Sequence, residues 1–241
     1  MLRLLFSNPI WSIHLLFARV TYFIFRKPPV GLASPDGYTI NSPSELISYW
    51  AFFVEHECWL PEWGNALRQE KNPVVLDVGA NAGVFSHWIW TQNPNAEIIA
   101  FEPLPKMAER IQNWQSRTGA RLKLHNAAVS DHCGTAVFYT ANDNDTNASL
   151  RPDCPKSIEL PVALVTLDSV VPDKTILLAK IDVEGCESEA LAGGTRTTAN
   201  VRFLLVEAHT QAALEKIRKK LPATEWDCRK VAFSDYFFIH R

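Results

Sequence analysis

The sequence lacks the cysteine spacing of a zinc site and of a disulfide-stapled domain. Its five cysteines are odd in number and form no C-x-x-C pair, lying at positions 58, 133, 154, 186 and 228. Structural zinc sites and disulfide frameworks both depend on suitably spaced, usually paired cysteines. We therefore predict reduced thiols, a cytoplasmic setting and no zinc centre.

A surplus of positive charge is also missing. The chain has 24 lysines and arginines against 26 aspartates and glutamates, a formal net charge of −2 and a pI near 6.4. The basic residues are not bunched in sequence, so no patch attracts a phosphate backbone. We expect no nucleic-acid partner. Internal repeats and low-complexity tracts are absent too, and 241 residues with 47% hydrophobic content predict one main domain.

No apolar run is long enough to be a clear membrane span. Residues 10–25 are nearly all apolar, but sixteen helical residues reach only about 24 Å, short of a hydrocarbon layer of about 30 Å. Arg19 within the run costs about 2.5 to 3.5 kcal/mol on insertion scales. We expect a helix that lies on a membrane surface or docks a partner, ahead of a helix packed on the domain or a signal anchor. Aromatic residues and the flanking Arg26 and Lys27 favour peripheral membrane contact through residues 1–27.

One segment has the layout of a nucleoside-cofactor pocket. A buried strand over Val74–Val78 leads into a turn with Gly79 and Gly83, a helix and a second strand that ends at Glu102. Glu102 follows Gly79 by 23 residues, close to the offset of about 20 at which a carboxylate binds ribose hydroxyls. Taken alone, the two glycines fit tight packing equally well.

The details of the turn favour S-adenosylmethionine over NAD. A dinucleotide site uses G-x-G-x-x-G to bring backbone against a pyrophosphate, whereas this turn has G-x-x-x-G spacing and Asp77 before it. A carboxylate there would repel phosphate. It suits a cofactor that carries an ammonium and a sulfonium and no phosphate.

Several short sequence motifs follow one another in a fixed order from about residue 73 to residue 209. They are Asp77-Val-Gly-Ala-Asn-Ala-Gly83, Phe101-Glu-Pro103, Asn126-Ala-Ala-Val-Ser-Asp131, Ala148-Ser-Leu150, Thr166-Leu-Asp-Ser169, Lys180-Ile-Asp-Val-Glu-Gly-Cys-Glu187 and Leu205-Val-Glu207. In this order they resemble the FkbM family of S-adenosylmethionine-dependent methyltransferases. Such a resemblance implies a class I methyltransferase fold and, in most cases, O-methylation of a sugar or polyketide hydroxyl. It also places Asn126 and Ala127 on the adenine side of the cofactor.

The full set of candidate cofactor residues is Asp77, Gly79, Asn81, Gly83, Phe85, Glu102, Pro103, Asn126, Ala127 and Asp182.

The remaining pattern predicts an α/β, Rossmann-like fold with a mostly parallel, doubly wound sheet and an antiparallel closing strand. Ser42 and Glu45 indicate a helix start, with a helix over 46–60 that covers the cofactor or shapes the substrate entrance. The polar stretch between two extra strands predicts a substrate-binding loop. We divide the chain into an apolar helix (1–30), a helical lead-in (31–72) and a methyltransferase domain (73–241). Further strands are expected over 122–129, 135–140, 160–166, 176–183, 202–208 and 231–240, and helices over 84–92, 105–117 and 211–221.

Methyl transfer to a hydroxyl needs alignment and a base for the acceptor's proton. The candidates are Asp182, Glu184 and His209, and Lys180 lies on the same side of its strand as Asp182 and can pair with it. Several alternatives stay open: Asp182 orients the cofactor's amino group, Glu184 and Glu187 cap a helix, His209 caps a helix or lies in the core, or Asp182 and Glu184 hold Mg²⁺.

The predicted activity is methylation of a carbohydrate, glycolipid or polyketide-like acceptor that uses S-adenosylmethionine. Two other functions are kept as alternatives. One is a non-catalytic, cofactor-binding membrane adaptor, and the other is an NAD-dependent oxidoreductase. The sequence makes no prediction of oligomeric state.

Overall fold

The computed structural model describes residues 9–25, 31–56, 58–140 and 158–241. Two of its three sheets are small, and the third forms the centre of the molecule. The strands are β1 (Leu32–Ala33), β2 (Thr39–Ile40), β3 (Val74–Val78), β4 (Glu97–Phe101), β5 (Leu122–His125), β6 (Ala128–Val129), β7 (Gly134–Thr140), β8 (Ile158–Val165), β9 (Ile176–Ile181), β10 (Val201–Glu207), β11 (Trp226–Lys230) and β12 (Asp235–His240). The helices are α1 (Pro9–Phe25), α2 (Pro43–Trp50), α3 (Pro61–Gln69), α4 (Val84–Gln92), α5 (Pro105–Thr118), α6 (Leu167–Val170), α7 (Glu187–Ala192), α8 (Thr195–Ala199) and α9 (Gln211–Lys220), and a π-helical turn covers Ala51–Glu55.

The central sheet has seven strands in the order β11-β12-β10-β9-β3-β4-β5. The five strands from β10 to β5 are parallel, and β12 inserts antiparallel between β10 and β11. The chain runs outward from β3 to β5 and then returns to β9 on the other side of β3, so the strand order reverses there. In open α/β sheets a ligand crevice forms beyond the carboxyl ends of the strands at such a reversal. The predicted fold class is confirmed.

Both faces of the sheet are buried. Side chains alternate along a strand: Val75 of β3 joins a core with α4 and α5, while its neighbours Val74 and Leu76 join a second core with α7 and α9. Strands that are covered on both faces appear in the sequence as continuous apolar runs. This explains why β3, β4 and their connecting helix fall on the predicted residues.

The predicted strand over 122–129 is wrong in its second half. β5 ends at His125, and β6 leaves the central sheet to pair with β8 in a three-stranded sheet of order β6-β8-β7. Between them, Asn126 Nδ2 donates to the carbonyls of Glu102 (2.7 Å) and Pro103 (3.0 Å), which turns the chain at this point. The polar stretch predicted to form a substrate loop falls largely on residues 141–157, outside the described residues.

The predicted helix over 46–60 begins correctly and ends too late. Ser42 caps α2 by accepting from the Glu45 amide, as the Ser-Pro-Ser-Glu pattern predicts. The helix continues into the π-helical turn, and this helical segment ends at His56, whose φ of 53° is left-handed. A separate helix, α3, starts at Pro61, where proline at the first position favours a new helix. The predicted closing segment is a hairpin, and its first strand, β11, was not predicted.

One side of α1 packs on the domain, and the other is apolar and exposed. Leu15 is 1% exposed within the core that contains α4 and α5, and Arg19 lies 5.8 Å from the centre of the Trp50 ring. The described residues contain no helix that is both long and apolar enough to cross a membrane. Arg26 and Lys27 lie outside the described residues. The exposed apolar side chains, spaced as one helical face, are Ile13, Leu16, Phe17 and Val20.

Candidate active site

The glycine turn after β3 holds the ends of three strands together. The amides of Gly79 and Ala80 donate to the Phe101 carbonyl at the end of β4, at 3.0 and 2.9 Å. Gly79 has φ +82°, and a Cβ there would lie 1.8 Å from the carbonyl oxygen of Asp182, just past the end of β9. Only glycine allows this approach. The turn thus fixes Asp182 beside the carboxyl end of β3.

Glu102 is buried at the end of β4 and already oriented. Its Oε2 accepts from the Asn81 amide at 2.7 Å and its Oε1 from the Leu104 amide at 2.8 Å. Burial raises the pKa of Glu102 to about 7, against the lowering effect of these two hydrogen bonds. Asn81 has a left-handed φ of 50°, and its buried Oδ1 has no hydrogen-bond partner. The turn after β3 and the end of β4 therefore carry oxygen atoms that can accept hydrogen bonds.

A first cleft, about 660 Å³ in volume, opens over Glu102. Of the predicted cofactor residues, six line it, and Asn126 instead supports its floor by bonding to the Glu102 and Pro103 carbonyls. Phe138 and Leu104 contribute apolar surface that was not predicted. The predicted residues in this cleft are Gly79, Asn81, Glu102, Pro103, Ala127 and Asp182, together with Glu184.

Besides Asn126, three predicted cofactor residues lie outside the first cleft. Asp77 is fully buried beneath the turn, where its Oδ2 accepts from Ser86 Oγ at 2.6 Å and its Oδ1 has no hydrogen-bond partner. Gly83 caps α4 and packs against Ile111. Phe85 lines a different cleft. Direct cofactor contact by these residues stays a prediction.

This second cleft, about 860 Å³ in volume, lies on the other side of the glycine turn. α2 and the π-helical turn form one wall, and the ends of β9, β10 and β12 form the other. Gly79, Asn81 and Asp182 line both clefts. A group held at these three residues can therefore be reached from either side. The cleft's aromatic and charged side chains are Glu45, Phe52, Phe85, Lys180, Asp182, Glu207 and Asp235.

Charged groups form a chain across the strand ends. Lys180 Nζ donates to Asp182 Oδ2 at 2.7 Å, as the two-residue spacing predicts. Burial alone would lower the pKa of Lys180, but the Asp182 and Asp77 carboxylates outweigh it and raise that pKa above its usual range. Glu207 lies 3.1 Å from His209 Nε2, which lies 3.7 Å from Glu184. Three predicted catalytic residues thus meet at one edge, with Lys180 behind Asp182.

Glu187 and Glu184 have different surroundings. Glu187 Oε1 accepts from the amides of Val183 and Gly185 at 3.3 and 2.9 Å, so it caps the turn before α7, one of the alternatives that the sequence left open. Glu184 faces the cleft from a left-handed φ of 53°. No group of three or more histidine, cysteine, aspartate and glutamate side chains in the described ranges is placed to hold a metal ion.

Two residues of the second cleft, Glu207 and Asp235, were not among the predicted site residues. Glu207 ends β10, where the sequence predicts that it converges with Asp182 and His209 at the carboxyl ends of the strands, but the sequence assigns it no catalytic or binding role. Asp235 begins β12, opposite Glu207 in the antiparallel register. Since carboxyl ends of neighbouring parallel strands meet at one edge, the position of Glu207 was a usable signal. The position of Asp235 could not be predicted in this way, because it depends on the hairpin of β11 and β12.

The strand order and the ligand crevice at its reversal define a class I methyltransferase, and S-adenosylmethionine is its cofactor. The site fits this group, because Glu102 and the buried, unpartnered Asn81 Oδ1 offer acceptors and Gly79 lines the first cleft with backbone only. The chain belongs to the FkbM methyltransferase domain family, whose model matches residues 77–230.

Several known proteins that resemble this chain are named as methyltransferases. The 2-O-methyltransferase NoeI of Sinorhizobium fredii is 29% identical over 170 residues, 62% of this chain and 69% of that protein. The 31-O-demethyl-FK506 methyltransferase FkbM of Streptomyces tacrolimicus is 29% identical over 216 residues, 74% of this chain and 81% of that protein. A solved O-methyltransferase from Thermotoga maritima superposes with a TM-score of 0.44 at 11% identity, covering 90% of this chain and 78% of that one.

Proposed function

We propose that this enzyme methylates a hydroxyl group of a carbohydrate, glycolipid or polyketide-like acceptor held in the second cleft. One observation carries the proposal: the two clefts share Gly79, Asn81 and Asp182, so a cofactor in one and an acceptor in the other meet at these residues. Two relatives whose names specify an O-methyltransferase and a demethyl-FK506 methyltransferase support a hydroxyl as the acceptor.

The lining of the second cleft suits a polyhydroxylated or ring-bearing molecule. Phe52 and Phe85 offer flat apolar faces, and Asp182, Glu207 and Asp235 offer oxygens that accept from hydroxyl groups. Glu45 is neutralised by Arg110, whose two guanidinium nitrogens contact its two carboxylate oxygens. The surplus of carboxyl groups favours a neutral acceptor.

The cofactor residues have separate tasks in this proposal. Glu102 accepts from the ribose hydroxyls, Pro103, Ala127 and Phe138 surround the base, and Asp182 orients the amino-acid end. The bound cofactor supplies an electrophilic methyl group on a sulfonium. The chain itself contributes alignment, exclusion of water and a place for the acceptor's proton, which together account for most of the catalytic effect in such displacements.

Replacing Phe52 tests the assignment of the clefts. Phe52 lines the second cleft only, so Phe52→Ala is expected to raise KM for the acceptor about tenfold or more, as burial of a phenylalanine is worth about 1.5 to 3 kcal/mol, while Kd for S-adenosylhomocysteine stays unchanged. Phe138→Ala in the first cleft should raise the Kd for S-adenosylhomocysteine and leave the acceptor KM unchanged. The acceptor is found by screening neutral glycans, neutral glycolipids and polyketide alcohols for a mass gain of one methyl group on oxygen. Unchanged acceptor KM in Phe52→Ala would contradict the proposal.

We also propose that α1 holds the enzyme at the cytoplasmic surface of a membrane. Its exposed face carries Ile13, Leu16, Phe17 and Val20, an apolar stripe of the kind that lies in the headgroup region. The opposite face packs on the domain through Leu15, and α2, its neighbour, walls the second cleft. A membrane contact through this stripe would bring a lipid-linked acceptor close to that cleft.

Vesicle binding tests this contact. The full chain is expected to co-sediment with anionic phospholipid vesicles, and Phe17→Ser with Leu16→Ser should lose at least two thirds of this binding with unchanged thermal stability. Leu15→Ala is the matched control, because it removes a buried side chain at a cost of about 2 to 5 kcal/mol without changing the exposed stripe. It should lower Tm and leave binding intact at temperatures where the protein is folded. Equal binding by the serine variant would refute the contact.

A further inference from the structure

Two carboxyl groups lie against each other at the ends of β9 and β10. The register pairs Val206 with Ile181, so the next residues, Glu207 and Asp182, are opposite each other on strands about 4.8 Å apart. Their carboxyl groups thus come side by side, and Lys180 Nζ pairs with Asp182 Oδ2 at 2.7 Å. Two carboxyl groups that occupy one site do not both ionise readily, because each negative charge opposes the other. The Asp182–Glu207 pair therefore holds one proton.

The surroundings determine which carboxyl group is neutral. Although burial opposes it, the Lys180 ammonium at 2.7 Å keeps the pKa of Asp182 below its usual range. Burial and the charge of Asp182 raise the pKa of Glu207 well above its usual range, although Ser234 Oγ donates to its Oε1 at 2.8 Å. Asp182 is thus charged and Glu207 neutral. The other ionisable groups facing the pair are Asp77 from β3, Glu184 from the loop after β9, His209 from the loop after β10 and Asp235 from β12.

We infer that Glu207 takes the proton of the acceptor hydroxyl, and that a cation entering beside Asp182 prepares it by expelling the proton that the pair holds. The inference rests on the proposed function, because it concerns the same cleft. A positive charge next to Asp182 replaces the shared proton as the counter-charge of the two carboxylates. His209 Nε2 lies 3.1 Å from Glu207 Oε2, and its side chain is 52% exposed, so the proton has a path to solvent.

The reaction then balances without a further reactant. The acceptor oxygen forms a bond to the methyl carbon as the carbon–sulfur bond breaks, with both electrons of that bond going to sulfur. The hydroxyl proton passes to the Glu207 carboxylate. The neutral thioether product carries one positive charge less than the cofactor, so this proton stays in the pair until the next cofactor binds and expels it through His209. Glu207 is therefore a base only while the cationic cofactor is bound.

Counting the protons released on cofactor binding tests this, with no acceptor present. Isothermal titration of the full chain with S-adenosylmethionine at pH 8.5, in two buffers of different ionisation enthalpy, gives the number released. We expect the wild type to release about half to one proton more per bound cofactor than Glu207→Gln does. Asp182→Asn should release as few protons as Glu207→Gln. The ligand's own amino group contributes equally to all of these proteins. With S-adenosylhomocysteine, the difference should fall by at least half.

Glu97→Gln is the control, since Glu97 pairs with Lys174 at the opposite edge of the sheet and lines neither cleft; it should release as many protons as the wild type. If Glu207→Gln does not fold, the comparison of the wild type with Asp182→Asn still measures how many protons the pair releases. Equal release by the wild type and the folded variants of the pair would overturn the inference. Because no acceptor is used, this outcome is independent of whether an O-methylated product is found.

Discussion

Gly79→Ala is expected to abolish detectable binding of S-adenosylmethionine, a loss of at least a hundredfold, and to destabilise the protein by more than about 3 kcal/mol. The left-handed φ of +82° alone costs about 1 to 2 kcal/mol with a side chain. In addition, the new Cβ would lie 1.8 Å from the Asp182 carbonyl oxygen. That carbonyl must move, and it carries with it a residue that lines both clefts. Titration calorimetry and thermal unfolding measure the two effects.

Gly119→Ala separates strain from the clash. Gly119 ends α5 with a comparable φ of +70°, and a Cβ there would meet nothing within 4 Å. This variant should lose about 1 to 2 kcal/mol of stability and bind the cofactor like the wild type. If Gly79→Ala behaved in the same way, the close approach of the β3 turn to Asp182 would not matter for binding.

Cofactor binding is expected to weaken below neutral pH, and Glu102→Gln should remove this dependence. The ribose hydroxyls donate to a carboxylate, so binding needs Glu102 deprotonated. Since burial raises its pKa to about 7, the charged fraction is nearly full at pH 8 and falls about tenfold at pH 6. Kd should therefore rise about tenfold between these two values. In Glu102→Gln, Kd should be ten to a hundred times higher at pH 8, as hydrogen bonds to a charged group are worth about 1.5 to 3 kcal/mol, and should vary less with pH.

Glu97→Gln provides the control on the same strand. Glu97 begins β4 at the opposite edge of the sheet, where it pairs with Lys174, so its replacement should change neither Kd nor its pH dependence. A wild-type Kd that stays constant from pH 8 to pH 6 would show that Glu102 is charged throughout, or that it does not bind the ribose.

The strand, turn, helix and strand that carry the proposed cofactor site could be predicted from local sequence alone. Residues 74–102 form a strand, turn, helix and strand whose signals are local: apolar runs, glycines where backbone approaches backbone, and a carboxylate at a fixed offset. The break between α2 and α3 was missed because the aromatic residues on both sides of it, including Phe53 and Trp63, pack into one core. Their spacing along the chain looks like a single continuous helix.

The lining of the second cleft, which we propose holds the acceptor, depends on long-range pairing. Glu207 acquires its neighbour Asp182 only through the register of β10 against β9, and Asp235 comes to the same edge only because β12 inserts between β10 and β11. Neither fact is encoded within a short window. In the same way, the departure of β6 from the central sheet depends on its pairing with β8, more than 30 residues further along the chain.

The wall that α2 and the π-helical turn give to the second cleft has a consequence for the inheritance of specificity. These residues, 44–58, and Asp235 on the facing wall lie outside the segment 77–230 that defines the family. With the acceptor in the second cleft, as proposed, residues that select the acceptor belong to a stretch of sequence separate from those that carry the cofactor chemistry. Exchanging residues 43–58 with those of a relative should then change the preferred acceptor and leave cofactor binding unchanged.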